Sequence, residues 1–454
     1  MSSTDINRKG SPQHALLARL GLFDATMMVM GGIVGAGVFM NPHVVAQHLH
    51  TPVLMLAAWL AGGIIAVLGS FIYAELGARI PEVGGQYVYL RQSLHPICGF
   101  LYGWALLLVI QTGGMAAVAV TFARYFLELT HIRCSEGWIV VSTLTVLTAV
   151  NCLGVTPGSR LQSILMVLKI GAVACLVGAG FFLLKDPQPL LHPVLDRPAS
   201  WDLVTALGAA MVPVIFSYGG WQTTNFIASE IREPRKNLAR ALVIGVAGVV
   251  ALYVLVVLVC VRALGAGELA HTTVPASAVM RIVAGEPGAR LIALGIALST
   301  VGYLSQSVLT APRVYFAMAE DGLFFRSVAY LTRGTNVPVV AILLQSLWTA
   351  VIALSGSYEQ ILDFQVPIDA LFFGLSASCL FVLRHRDRDE PALPGFRVPG
   401  HPVTTTLFIL ACWLIVANAL WRDPRNSLAG VIILLLGLPA YAWWQRRRTK
   451  ELNA

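Results

Sequence analysis

The chain is 454 residues long, 57% hydrophobic and only 12% charged, with a mean hydropathy of +0.74. A soluble protein covers its surface with roughly 25% charged residues, so this composition excludes a large globule wrapped in amphipathic surface helices. The net charge of +8 does not point to nucleic acid, because a membrane chain concentrates Lys and Arg in its cytoplasmic segments.

The polar segment Met1–Leu20 has no apolar h-region, so no cleaved signal peptide is expected. Beyond it, apolar runs fall at 22–46, 53–78, 97–127, 138–155, 161–184, 203–229, 239–262, 290–318, 338–356, 361–383, 403–421 and 427–445. Stretches such as Val53–Tyr73, Trp138–Val150, Ala241–Val261 and Leu428–Tyr441 carry no charge at all. A bilayer span needs about 20 apolar residues, which predicts an all-α polytopic membrane protein of about twelve transmembrane helices. With the N-terminus inside, 21 of the Lys and Arg residues fall in inside segments and 9 in outside ones, leaving Lys169 within a span. Both termini are therefore expected in the cytoplasm, with the protein multi-pass in the cell (inner) membrane. The connections 185–202 and 263–289 are read as the largest outside loops and 384–402 as the largest inside one. Most cysteines (Cys152, Cys175, Cys260, Cys379 and Cys412) lie in apolar runs without metal spacing and read as small buried hydrophobes.

Two runs are interrupted. The first holds Gly31-Gly32-Ile33-Val34-Gly35-Ala36-Gly37-Val38-Phe39 and the sixth Pro213-Val214-Ile215-Phe216-Ser217-Tyr218-Gly219-Gly220-Trp221. Each glycine weakens a helix by roughly 1 kcal/mol relative to alanine. Unwound backbone at membrane depth persists only where it is buried in protein or lines a cavity. Breaks in spans one and six suggest a five-plus-five inverted repeat with the substrate between the halves. The freed N–H groups suit a carboxylate and the freed carbonyls an ammonium, so a zwitterionic amino acid fits the pair. Tight helix packing at the same glycines is the competing reading.

The residues then resemble a known family. Gly35-Ala36-Gly37-Val38-Phe39 is similar to the Gly-Ser-Gly-Ile-Phe motif of amino acid–polyamine–organocation (APC) superfamily transporters. Tyr73-Ala74-Glu75-Leu76, Pro81, Gly84-Gly85-Gln86-Tyr87-Val88-Tyr89, Pro96, Gly99-Phe100 and Gly103-Trp104 resemble that superfamily's span 2–3 signature. Phe216-Ser217-Tyr218-Gly219-Gly220-Trp221, Asn225-Phe226, Glu230, Pro234 and Lys236-Asn237-Leu238 resemble the L-type amino acid transporter (LAT) family. So do Val150-Asn151-Cys152, Arg160-Leu161-Gln162 and Lys169, and the resemblance runs through residues 16–445.

The resemblance implies the five-plus-five (LeuT-type) fold with discontinuous helices 1 and 6 and two extra helices. It divides the chain into a cytoplasmic segment 1–20, a transport core 21–384, two further spans in 385–445 and a cytoplasmic tail 446–454. It also implies that the amides of Gly35, Ala36 and Gly37 receive the carboxylate. The ammonium meets carbonyls around Ile33, Phe216, Ser217 and Gly219, Phe216 gates the site, and Trp221 packs beside it. Ala36 stands where serine is usual, and Gln222 where asparagine or aspartate is usual.

Lys169 has two readings: its stem snorkels to the interface, or its ammonium sits near the first break in place of a sodium ion. A depressed pKa would let it carry a proton instead. Ser299 and Thr300 either face that lysine or bond their own helix. Asp369, beside Pro367, is either a buried charge or a helix-start residue near the surface. Glu230 with Arg232, Arg235 and Lys236 is read as an inside-gate cluster or a solvated helix end. Cys134 sits in a short outside loop, so no accessory heavy chain is expected.

The resulting expectation is a secondary transporter of neutral L-amino acids, working by sodium-independent exchange or facilitated diffusion with alternating access. The pocket facing Gly219 and Gln111 is expected to hold no charged partner. Proton-coupled symport through Lys169 and a non-transporting amino acid sensor are the alternatives. No catalytic constellation, cofactor or metal site is expected.

Overall fold

The computed structural model describes residues 20–452 apart from 83, 153–158, 196, 197, 199, 333–336, 389–394 and 423. The N-terminal segment (all but Leu20), Arg197, Arg333 and the side chains of Arg160, Gln162, Glu230 and Lys450 lie outside the described residues.

The described chain is helical, and its helices begin where capping chemistry allows. α1 (Leu22–Ile33) and α2 (Gly37–His48) form the first interrupted run. Thr51 opens α3 (Pro52–Arg79) by accepting the Leu54 N–H at 3.3 Å, with Pro52 in the first turn, where its missing N–H matters least. A short α4 (Gln86–Ser93), which the hydropathy pattern did not mark, leads to α5 (Pro96–Ala105). A π turn at Leu106–Ile110 joins α5 to α6 (Gln111–Thr130). Then come α7 (Glu136–Cys152), α8 (Ser159–Phe182) and α9 (Trp201–Tyr218), followed by a 3-10 helix at Trp221–Glu230.

The outside loop expected at 263–289 is mostly helix instead. α10 runs Pro234–Leu269 and α11 runs Pro275–Thr310, each bent at a glycine of positive φ, Gly265 (φ 70°) and Gly285 (φ 67°). Glycine alone enters that region without a steric penalty, so both helices turn and continue beyond their apolar stretch. α12 (Pro312–Glu320), α13 (Val339–Ser355), α14 (Tyr358–Arg386), α15 (Val403–Arg422) and α16 (Pro424–Leu452) complete the chain.

Among the described residues, nine helices are long and apolar enough to cross a membrane, counting continuous pairs such as Leu22–His48 as one. Glu136–Cys152, Met166–Phe182 and Val339–Ser355 are shorter apolar helices. Leu60, Ile64, Leu347, Leu407, Leu414 and Leu436 are each more than half exposed on outer faces, a belt that water would not tolerate but lipid would. Cys175, expected in the core, is also exposed.

Inside, α10 lies along α1 and α3, α6 along α11, and α9 against α2, α3 and α15. One end of this bundle is fastened by an ion cluster that the sequence reading did not pick out. The Glu75 side chain, 1% exposed, receives Arg384 at 2.6 Å, Arg79 at 2.9 Å and the Val398 N–H at 2.7 Å. Arg79 continues to Asp387 at 2.6 Å. Helices α3 and α14 and the segment before α15 are thereby joined at one carboxylate. Removing one partner of a buried ion cluster leaves the others uncompensated. Glu75→Ala is expected to destabilise the protein by about 3 kcal/mol, seen as a lowered thermal midpoint of the detergent-solubilised protein. Arg386→Ala, which removes a mostly exposed pair with Asp387, should stay within about 0.5 kcal/mol.

Candidate functional site

The first break is Val34-Gly35-Ala36, between α1 and α2. α1 ends when Val34 N–H donates to the Met30 carbonyl at 2.8 Å, and Gly35 N–H turns back to Ile33 O at 2.8 Å. Ala36 is the cap of α2 and has no side-chain acceptor to offer. The Gly37 and Val38 amides in the first turn of α2 have no carbonyl one helical turn behind them. Of the expected Gly35, Ala36 and Gly37 amides, Gly35 is committed to Ile33, while Ala36 and Gly37 show no backbone partner among the described residues.

The second break is Gly219-Gly220. Gly219 N–H donates to Phe216 O at 3.1 Å, Gly220 has φ +105°, and Thr223 closes on Gly220 O through its N–H at 3.2 Å and its hydroxyl at 2.7 Å. Pro213 does not take part in this interruption; it lies inside α9. The two breaks touch backbone to backbone. A Cβ on Gly220 would lie 2.0 Å from Gly32 O, and one on Gly37 would lie 2.5 Å from Ser217 Cα. Both approaches exist because these residues carry no side chain.

A narrow cavity with an empty volume of about 590 Å³ opens between the breaks. Ile33, Gly35, Ala36, Gly37, Phe216, Ser217, Gly219 and Gln222 all line it, so every residue named from sequence for substrate contact is brought to one space. Their roles differ from expectation in three places. Ile33 O already accepts Gly35 N–H and the Tyr253 hydroxyl at 3.0 Å. The Ser217 hydroxyl donates to Pro213 O at 2.7 Å and accepts Asn41 Nδ2 at 2.7 Å. Gln222 accepts the Gly220 N–H at 2.9 Å, so it caps the second break with its own side chain. A wider groove of about 1130 Å³, lined by Pro81, Pro234, Arg235, Ala239, Arg240 and Phe396, lies away from both breaks.

Asn41 is the residue that sequence reading missed here. Its amide donates to Pro213 O and Ser217 Oγ, both at 2.7 Å, while its oxygen accepts the Tyr358 hydroxyl at 2.9 Å. One side chain thus ties α2, α9 and α14 together. The available signal was an asparagine within an apolar run. Phe216, half-buried, meets Tyr358 edge-on at 6.4 Å. Trp221 stacks on Phe373 at 5.3 Å and meets Tyr73 edge-on at 4.8 Å, so it packs between α3 and α14.

Lys169 is buried, and its ammonium donates to Val34 O at 3.0 Å. The snorkelling alternative is thereby removed, because the stem runs inward to the first break. Thr300 bonds the carbonyls of its own helix, Ile296 at 3.1 Å and Ala297 at 2.9 Å, the second of its two readings. Ser299 is buried and its hydroxyl has no partner among the described residues. Asp369 is buried well within α14 and lines the cavity, which overturns both the helix-start reading and the expectation of a pocket without a charged group. A one-dimensional reading put Pro367 at a helix start, but α14 begins at Tyr358 behind a Ser357–Gln360 capping box. Arg235 and Lys236 line the wider groove and are not among the groups bonded to Glu75.

Comparison with known proteins agrees with this geometry. An amino acid permease family model matches residues 20–438. The chain belongs to that family. It is 28% identical over 445 residues to the serine/threonine exchanger SteT of Bacillus subtilis, covering 96% of this chain and 98% of that protein. It is 29% identical over 448 residues to the human large neutral amino acids transporter small subunit 2, covering 95% and 82% respectively. The human cystine/glutamate transporter is 27% identical over 441 residues, covering 95% of this chain and 86% of its own. This permease is accordingly a multi-pass membrane transporter of amino acids in the APC superfamily.

The backbone contact between the breaks gives a direct test. Gly220→Ala meets both a positive φ and the Gly32 carbonyl, and is expected to abolish amino acid uptake into proteoliposomes. In α8, Gly178 has nothing within 4 Å of its would-be Cβ. Gly178→Ala should retain uptake and gain up to about 1 kcal/mol of stability.

Proposed function

We propose that this permease exchanges neutral L-amino acids across the cell membrane by alternating access, without sodium. The observation that carries this reading is the meeting of two unwound breaks at one cavity. The Ala36 and Gly37 amides, at the positive end of α2 and on the cavity wall, receive the substrate carboxylate. Carbonyls at the second break, around Phe216, Ser217 and Gly219, receive the ammonium, and Phe216 swings over the bound molecule. The names of the relatives support exchange and neutral substrates, since one is a serine/threonine exchanger and another a large neutral amino acid transporter.

The sodium-independent part rests on Lys169. Its ammonium on the Val34 carbonyl supplies a fixed positive charge beside the first break. Backbone oxygens there need no dissolved cation to satisfy them. Proton coupling is the second reading, favoured by the burial of this ammonium against a single backbone carbonyl.

Nine long and three shorter apolar helices support a twelve-span topology, which we read as a five-plus-five inverted repeat followed by two further spans. The excess of Lys and Arg in alternate connections supports cytoplasmic termini. The human relative is named as a small subunit; here Cys134 is exposed in the short connection between α6 and α7, and we propose that the chain works without an accessory subunit.

Proteoliposomes loaded with unlabelled amino acid should take up labelled threonine or leucine equally well in sodium and choline buffers, and poorly when empty inside. Uptake into empty vesicles driven by an imposed pH gradient, and lost in Lys169→Ala, would favour the proton-coupled reading. No uptake above protein-free vesicles for any amino acid would sink both.

A further inference from the structure

The cavity carries more polarity than a site for aliphatic side chains needs. Gln365 and Asp369 lie one turn apart on α14, so they share a helix face, and both line the cavity. Both residues are buried, and Gln365 Oε1 and Asp369 Oδ1 have no hydrogen-bond partner among the described residues. Buried acceptors are rarely left unpaired, because stripping water from such a group without replacing its hydrogen bond is unfavourable by about 1–3 kcal/mol. Gln365 has little freedom to turn elsewhere, because its Cβ and Cγ pack where a Cβ on Gly113 would sit, 3.2 and 3.1 Å away. Two unmet oxygens on residues that line one cavity call for a ligand that brings donors.

We propose that Gln365 and Asp369 form a side-chain subsite that selects neutral amino acids ending in a hydrogen-bond donor, such as the threonine hydroxyl, over aliphatic isosteres. This rests on the transport reading above and names the part of the substrate that reading leaves open. The hydroxyl donates to Asp369 Oδ1 or Gln365 Oε1 while carboxylate and ammonium remain at the helix breaks. A neutral donor meets these oxygens without bringing a further charge into the membrane core, where an added charge is expensive.

Valine and threonine have nearly the same shape and differ in one methyl against one hydroxyl. A site built to hydrogen-bond a hydroxyl discriminates strongly against the analogue lacking it. In detergent-solubilised wild-type protein, labelled threonine should bind and unlabelled valine should displace it at least ~10-fold more weakly than unlabelled threonine. In Asp369→Ala, and separately in Gln365→Leu, the two affinities should converge to within about threefold through loss of threonine affinity. Equal displacement by valine and threonine in the wild type overturns the proposal. Stronger displacement by lysine than by threonine does so too, as does no threonine binding at all. A preference that survives in whichever variant remains monodisperse on size-exclusion chromatography also overturns it. The readout is equilibrium binding, so failure of the same protein to move bound threonine across a membrane counts against the transport reading alone.

Discussion

Backbone N–H and C=O groups in a membrane interior must find partners within the protein, and the two helix breaks concentrate that demand at one place. Each break answers it locally. Gly35 folds back on Ile33, Lys169 takes the Val34 carbonyl, Tyr253 takes the Ile33 carbonyl, and Gln222 and Thr223 close on Gly220. What those bonds leave over, chiefly the first amides of α2, borders the cavity. The site is thus the unsatisfied remainder of a mostly satisfied backbone. Its position depends on the contact between Gly32 and Gly220, which only residues without side chains permit.

That dependence explains what could be read from the sequence. Clustered glycines marked the breaks in two apolar runs, because the cost of glycine in a helix is local, although the pairs Gly62-Gly63 in α3 and Gly113-Gly114 in α6 pass without one. A lone lysine in a third apolar run likewise demands a buried acceptor, and it has one at Val34. Partner choice was not legible, because it depends on residues far apart in the chain. Asn41 finds Pro213 and Ser217, and Glu75 finds Arg384 and the Val398 amide, only after α9 and α14 have packed. Thr300 and Gln222 bond locally for the opposite reason. Each has a good partner within a few residues, and the nearer hydrogen bond takes the side chain. Asp369 had two readings because Pro367 resembles a helix start, whereas α14 passes through that proline and buries the side chain.

Buried charge is handled in three ways within the one bundle. Glu75 is surrounded by two guanidinium groups and an amide, so its environment is complete and its function is cohesion between α3, α14 and the segment before α15. Lys169 has a single carbonyl, which fixes its place but leaves two of its three N–H donors uncommitted among the recorded bonds. Asp369 has an oxygen with no partner among the described residues and borders the cavity. The gradient from complete to empty coordination runs from the end of the bundle towards its cavity. A group whose coordination is complete has nothing further to offer a ligand, whereas an incomplete one gains by meeting it.

The ties around the cavity also constrain how it could open. Asn41 binds α2 to α9 and, through Tyr358, to α14, while the Gly32–Gly220 contact binds the end of α1 to the second break. α1 and α2 are therefore each fastened to the far side of the cavity, but at different points, with only Val34-Gly35-Ala36 between them. A rearrangement that exposes the cavity to one side must release one of these two ties while the other holds. The Asn41 tie consists of side-chain hydrogen bonds, which can be exchanged for water or substrate. The glycine tie is a close backbone approach with no alternative packing of the same quality, because any residue but glycine would collide. The same kind of contact, Gly37 against Ser217, also fastens α2 to α9, so in the proposed exchange cycle the glycine contacts serve as fixed joints and the Asn41–Tyr358 bond to α14 is the tie that can be exchanged.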